Sequence, residues 1–254
     1  MFNPQTDMLA LDFDGVILDS IEECLVVGYN ALAIQQNRPE RIERLAEIDQ
    51  GLAAEARRQR NFIRHGQDFV YIHLALRQGF TIRSQQDFDH FLEENEIFQA
   101  DFRMLFYRER ARFIKEDLSG WMKLNPFYPG VQQFLEGYHP KSRLLIITSK
   151  LKENIQTIFQ ARSVYFPDGN IYSANQKASK FQIIEKVLDK NHINGENFHF
   201  IEDQVDTLIR IKPLGINCYL AGWGYNNAEQ VNRARNAGIP ILYLPDLAKI
   251  FLTD

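Results

Sequence analysis

The sequence predicts an α/β fold: a Rossmann-like parallel sheet core flanked by helices, with an all-helical cap domain inserted after the first strand. Three observations lead there. Short apolar runs end on polar residues near the start of the chain and again throughout its second half. Segments with apolar residues at helical spacing separate those runs, and strands alternating with helices give a parallel sheet with right-handed crossovers. Between the first run and the rest lies a long stretch with few strand signals.

Met8 to Phe13 is the first run, Met-Leu-Ala-Leu-Asp-Phe, closed by Asp14-Gly15. It reads as a buried strand entering a turn. Helical spacing follows from about Ile21 to Gln36. Residues 39–123 are rich in Arg, Glu, Gln and Phe. Phe88, Phe91 and Leu92, and Phe102, Leu105, Phe106 and Phe113, are spaced for helices. From Asn125 the alternation resumes. Apolar runs Leu144–Ile147, Phe198–Ile201, Ile216–Ala221 and Ile239–Leu244 are expected strands. Leu151–Gln160, Lys180–Asp189, Val205–Ile211 and Ala228–Asn236 are expected helices. The expected domains are a core of residues 1–20 and 125–254 and a cap of residues 21–124.

Bulk properties narrow the function. At 254 residues with 45% hydrophobic and 24% charged residues, the chain can bury a sizeable core like an ordinary globular protein. A net charge of -4 offers no basic surface for nucleic acid. Cys24 and Cys218 form no CxxC pair, which argues against a zinc site or disulfide framework. No signal peptide fits before Met8, and no apolar run reaches the length of a membrane span. The expectation is a cytoplasmic protein without a membrane partner; the oligomeric state is not legible.

In a parallel sheet, ligands bind beyond the carboxyl ends of the strands, so polar residues that close the apolar runs are the candidates. Asp12 and Asp14, at i and i+2, project to one side of an extended chain. Two close anions need a cation or proton between them, and Mg²⁺ suits oxygen ligands and phosphate. An ionised Asp is also a covalent nucleophile. A strand followed by a plain Asp-Gly turn explains the same residues without chemistry. Thr148 and Ser149 close the second-half run Leu144–Ile147; either can cap the next helix, and a helix N-terminus favours an anion. Ser179 and Gln182 form a capping box that places Lys180 in a first helical turn, where a cation opposes the helix dipole. Glu202, Asp203 and Asp206 open another helix, where acids are favourable on their own account.

The segment Asp12-Phe-Asp-Gly-Val-Ile-Leu-Asp-Ser20 resembles the first motif of the haloacid dehalogenase superfamily. The resemblance implies that Asp12 is the nucleophile and Asp14 the general acid/base, that both hold Mg²⁺, Asp14 through its carbonyl, and that Val16–Ser20 form a flap leading to the cap helix. It makes Thr148 the second motif, a donor to a phosphate oxygen, with Ser149 beside it. Lys180 becomes the third motif in preference to Lys177. Asp203 is the metal ligand of the fourth motif, where Glu202 stands in place of the usual Gly and Thr207 in place of the usual second acid. Glu202 and Asp206 are further candidates, as metal ligands or as groups that orient Lys180. Pro126–Val131, Gly222–Tyr225 and the Asn-Ala-Gly-Ile-Pro-Ile and Pro-Asp-Leu segments resemble the phosphoglycolate phosphatase branch.

The function implied is a Mg²⁺-dependent phosphatase hydrolysing a small phosphate monoester through an aspartyl-phosphate. A sugar phosphomutase of the same fold keeps both aspartates and is the first alternative. A catalytically weak protein that binds a partner through its helical insert is the second. A dehalogenase would not need an acid at position 14, and a phosphonatase lacks it. Arg57, Arg58, Arg60, Arg64 and His65 of the insert are candidate contacts for a second anionic group, though solvated helix faces account for most of them. From Arg38 to Asn125 the insert carries 15 Lys/Arg and 15 Asp/Glu, so it has no net charge to steer a substrate.

Overall fold

A computed structural model describes residues 2–175 and 177–252. Among these residues, six parallel strands form one sheet in the order β3-β2-β1-β4-β5-β6. They are β1 (Met8–Leu11), β2 (Leu144–Thr148), β3 (Ile171–Ser173), β4 (Phe198–Glu202), β5 (Asn217–Ala221) and β6 (Ile241–Leu242). The central strands read as unbroken apolar runs because both of their faces are covered; β1, β2 and β4 are buried at every position. Leu9 pairs in register with Leu144 on one side and His199 on the other, which places β1 at the centre and aligns the ends of β1, β2 and β4.

Among the described residues, twelve α-helices accompany the sheet: α1 (Ile21–Gln35), α2 (Gln50–Gln59), α3 (Asp68–Arg77), α4 (Gln85–Glu94), α5 (Gln99–Glu116), α6 (Leu118–Lys123), α7 (Val131–Gly137), α8 (Lys152–Ala161), α9 (Lys180–Asn191), α10 (Val205–Ile211), α11 (Ala228–Asn236) and α12 (Asp246–Phe251). The chain divides into two compact units. One comprises the described residues up to Asp19 and from Phe127 onward; the other is Ser20–Pro126.

In the sheet unit, Ile183, Ile184 and Val187 of α9 and Val205, Leu208 and Ile211 of α10 pack with Phe198, Phe200 and Leu220 of the strands. The expected strands and helices of this unit are present with ends shifted by a few residues. Strand β3 is an addition. It is three residues long and only Ile171 is buried, so no apolar run announces it. The last strand is shorter than expected: Ile239–Leu244 yields only Ile241–Leu242.

Helices α1–α6 make up the second unit, which has no strand among its described residues. Phe88, Phe91, Phe102, Phe106, Phe113 and Trp121 are buried in it, the outcome of their helical spacing. Helix α1 packs on α3 and α5, and between α1 and α5 lies a fully buried acid. Glu23 accepts from Arg110 Nε at 2.8 Å and Nη2 at 2.7 Å and from the Trp121 indole N–H at 3.0 Å. This bidentate pair compensates the desolvation of both charges. The four candidate arginines of this unit make contacts within it, and His65 is exposed. Arg57 pairs with Glu22 and Arg58 with Glu55. Arg64 donates to the Asn61 and Ile63 carbonyls and to Gln85. Arg60 departs from the expected solvated face: it is buried, with its guanidinium 5.5 Å from the centroid of the Phe69 ring.

Candidate active site at the carboxyl edge of the sheet

Asp12 lies one residue beyond β1, and its N–H still donates to the Ile201 carbonyl of β4 at 2.9 Å. That bond fixes Asp12 beside the end of β4. Phe13 turns the opposite way and packs edge-on against Phe159. Asp14 returns to the site side, with a side chain 22% exposed. The i, i+2 geometry thus brings both aspartates to one strand edge.

Glu202 and Asp203 arrive there from β4. A carboxylate oxygen from each of Asp12, Glu202 and Asp203 lies within 4.8 Å of the others, and all three residues are buried. Lys180, in the first turn of α9, reaches them. Its Nζ is 2.9 Å from Asp12 Oδ1 and 2.5 Å from Glu202 Oε2. The Ser179–Gln182 capping box is present and fixes this turn. Lys177 instead is exposed, its N–H donating to Asn175 Oδ1, and takes no part in the cluster.

The two acids of β4 differ in what they have left to offer. Glu202 Oε1 accepts the N–H groups of Asp203 and Gln204, both at 3.1 Å, while Oε2 accepts from Lys180. Both of its oxygens are therefore engaged by protein donors. Asp203 receives the Tyr225 N–H on Oδ2 at 3.0 Å. Its approach is so close that only glycine fits on either side. A Cβ on Gly15, whose φ is +87°, would lie 2.3 Å from Asp203 Oδ2, and one on Gly224 would lie 2.4 Å from Asp203 Cβ and 2.5 Å from the Gly15 carbonyl oxygen. The Asp-Gly turn and the Gly-Trp-Gly loop thus converge on one carboxylate. Trp223 Nε1 donates to the Val16 carbonyl at 3.1 Å, and the Tyr225 hydroxyl donates to Asp19 Oδ1 at 2.7 Å. These bonds tie the segment after β1 to the same loop.

Asp206 stands apart from the three clustered acids. It lies in the first turn of α10 and pairs with Arg233 of α11. Thr148 is buried at the end of β2, its Oγ1 accepting the Lys150 N–H at 3.2 Å; Ser149 is exposed beside it. Neither residue caps α8, whose N-cap is Leu151. Lys150 is the residue that the sequence reading missed. Its ammonium is 2.9 Å from Asp14 Oδ1 on a side chain with 0% exposure. The available signal was its position, directly after the Thr148-Ser149 pair at a strand end.

Burial dominates the electrostatics. It pushes the Asp12 carboxyl up to about 7, with the charge of Glu202 adding to the rise and Lys180 opposing it. Burial likewise pushes Glu202 up to about 7; Lys180 pulls it down and Asp203 pushes it further up. Burial disfavours the Lys180 charge, but Asp12 and Glu202 outweigh that and hold it protonated above its ordinary range. Counted as ionised, the carboxylates of Asp12, Asp14, Glu202 and Asp203 face the ammonium groups of Lys150 and Lys180. The site then has a formal excess of two negative charges.

No family model matches the chain, and no curated protein matches it. Solved structures do, over nearly its whole length. A haloacid dehalogenase-like hydrolase from Streptococcus pneumoniae is 14% identical with a TM-score of 0.56, covering 95% of each chain. A "predicted phosphoglycolate phosphatase" from Haemophilus somnus is 16% identical with a TM-score of 0.60, covering 97% of this chain and 98% of its own. The fold is that of the haloacid dehalogenase-like hydrolases. A further structure with this haloacid dehalogenase-like fold is a hydrolase from Deinococcus radiodurans, solved with bound phosphate and sodium. It is 14% identical with a TM-score of 0.56, covering 98% of this chain and 94% of its own.

Proposed function

We infer that this chain is a Mg²⁺-dependent phosphatase acting on a small phosphate monoester. The observation that carries the reading is the pairing of Asp12 with Lys180 beside Asp14 and Asp203, at the carboxyl edge of a parallel sheet. The residues present fit a divalent cation. With all four carboxylates ionised, the formal excess of two negative charges equals the charge of one such ion, and the donors are hard carboxylate oxygens. Asp12, Asp203 and the Asp14 carbonyl would hold it. Glu202, with both oxygens already accepting, orients Lys180 instead. When bound, Mg²⁺ neutralises charge on the phosphate and helps to orient it.

Two steps follow from the side chains. A carboxylate oxygen of Asp12 forms a bond to phosphorus as the bond to the leaving oxygen breaks, and Asp14 gives that oxygen a proton. Asp14, now a carboxylate, takes a proton from water as the water oxygen bonds to phosphorus and the Asp12–phosphorus bond breaks. Inorganic phosphate leaves and both aspartates are regenerated. Lys180 places its positive charge where the transferred group gathers negative charge, and the Thr148 hydroxyl, accepting from Lys150, has its own proton to donate to a phosphate oxygen. Ser149 stands at the same strand end as a second phosphate contact.

Phosphate release from a panel of small monoesters, with Mg²⁺ and with EDTA, tests the reading. Turnover that needs Mg²⁺ and is abolished by Asp12→Asn is expected. Equal rates in EDTA, or full activity in Asp12→Asn, would overturn it.

A further inference from the structure

Lys150 has no assigned role in the two steps above, yet its placement is unusual. A lysine side chain with 0% exposure is costly unless its charge is matched. The match is Asp14, which is itself partly exposed, so Lys150 is not needed to stabilise a buried acid. The backbone of Lys150 is held from two sides. Its N–H donates to Thr148 Oγ1 at 3.2 Å, and its carbonyl accepts the Ser173 hydroxyl of β3 at 2.8 Å. Its ammonium also lies 5.9 Å from the centroid of the Phe13 ring, the residue between the two aspartates. An anchored cation beneath a partly exposed carboxylate fixes one oxygen of that group and so the direction of the other.

We propose that Lys150 is a positioning residue that orients the Asp14 carboxylate as the base of the hydrolytic step. The proposal rests on the phosphatase reading. It concerns the second step because an ammonium partner matches the carboxylate form, the form in which Asp14 takes a proton from water. It also gives the short edge strand β3 a part in the site, since Ser173 holds the Lys150 backbone.

The test uses p-nitrophenyl phosphate with Mg²⁺ in stopped flow, because p-nitrophenolate departs without needing a proton. In Lys150→Met, Asp12 should still be phosphorylated, giving a burst of p-nitrophenolate equal to the folded enzyme. The steady rate after it should fall about 10²-fold, within the range of lost general base catalysis. Lys150→Gln, a polar replacement, should behave alike and guards against a packing defect in the first variant. Because Lys150 acts through Asp14, adding Lys150→Met to Asp14→Asn should slow turnover no further. Burst and steady rates that fall by the same factor, or a double variant slower than Asp14→Asn by the full single-variant factor, would overturn the proposal alone. A wild-type protein that releases no phosphate would overturn the phosphatase reading and the proposal with it.

Discussion

Replacing Lys180 with Met separates phosphoryl-group stabilisation from metal binding. The substitution keeps most of the side-chain length and removes two contacts, 2.9 Å to Asp12 and 2.5 Å to Glu202. Removing one electrostatic donor of this kind costs about 10²–10³ in kcat, roughly 3–4 kcal/mol. Breaking a buried pair also costs about 3–5 kcal/mol of stability. That loss is smaller here because Glu202 keeps the Asp203 and Gln204 N–H groups. The excess negative charge rises from two to three, so the metal is attracted at least as strongly as before. Initial rates against Mg²⁺ concentration should therefore give Lys180→Met a kcat lower by about 10²–10³ with half-saturation unchanged or at lower Mg²⁺. Lys177→Ala, on the exposed turn, should change rates only a few-fold. Activity of Lys180→Met restored by excess Mg²⁺, or an equal loss in Lys177→Ala, would refute the assignment.

Gly224→Ala would set a Cβ 2.4 Å from Asp203 Cβ and 2.5 Å from the Gly15 carbonyl oxygen. Neither is the end of a flexible side chain, so Asp203 must shift. A Mg²⁺ titration should show weaker half-saturation, and thermal unfolding a loss of about 1–3 kcal/mol. Gly169→Ala, with nothing within 4 Å, should change neither. In the helical unit, burial and the nearby Arg38 charge push His73 down to about 4 from 6.5, although its Nε2–H donates to the Leu25 carbonyl at 2.8 Å. The unfolded chain then binds more protons between these values, so this contribution to stability is present above about 6.5 and is lost as pH falls toward 4. The loss is about 2 kcal/mol by pH 5. Denaturant unfolding at pH 7.5 and 5 should show a smaller acid loss in His73→Leu than in the wild type; identical losses would contradict it.

The sheet was legible where burial leaves a one-dimensional trace. Strands covered on both faces, such as Leu144–Thr148, must be apolar at every position, and their polar closing residues mark the carboxyl edge. The edge strand Ile171–Ser173 leaves no such trace. At β6 only Ile241 and Leu242 are in register with β5, although the Pro240 carbonyl still accepts the Leu220 N–H at 2.9 Å. At the candidate site, the placement of Asp12, Asp14, Lys180 and Asp203 at one sheet edge was legible because each closes an apolar run or opens a helix. Lys150 was not, because a lysine after a strand reads equally well as a solvated group, and only the alignment of β1 with β2 brings it to Asp14. Asp206 was ambiguous for the same reason: Arg233, its partner, lies on another helix 27 positions away. The burial of Arg60 leaves no local trace, because Phe69, whose ring centroid lies 5.5 Å from its guanidinium, comes from α3.

In the proposed reaction Asp12 carries the phosphoryl group between the two steps. Asp14→Asn protein mixed with p-nitrophenyl phosphate and Mg²⁺, quenched in acid and mapped by peptide mass spectrometry, tests it directly. One phosphoryl group per chain on Asp12, absent from Asp12→Asn/Asp14→Asn protein, is the predicted result. A phosphoryl group on another residue, or wild-type turnover without any phosphorylated Asp12 in the trapped variant, would show that Asp12 is not the nucleophile.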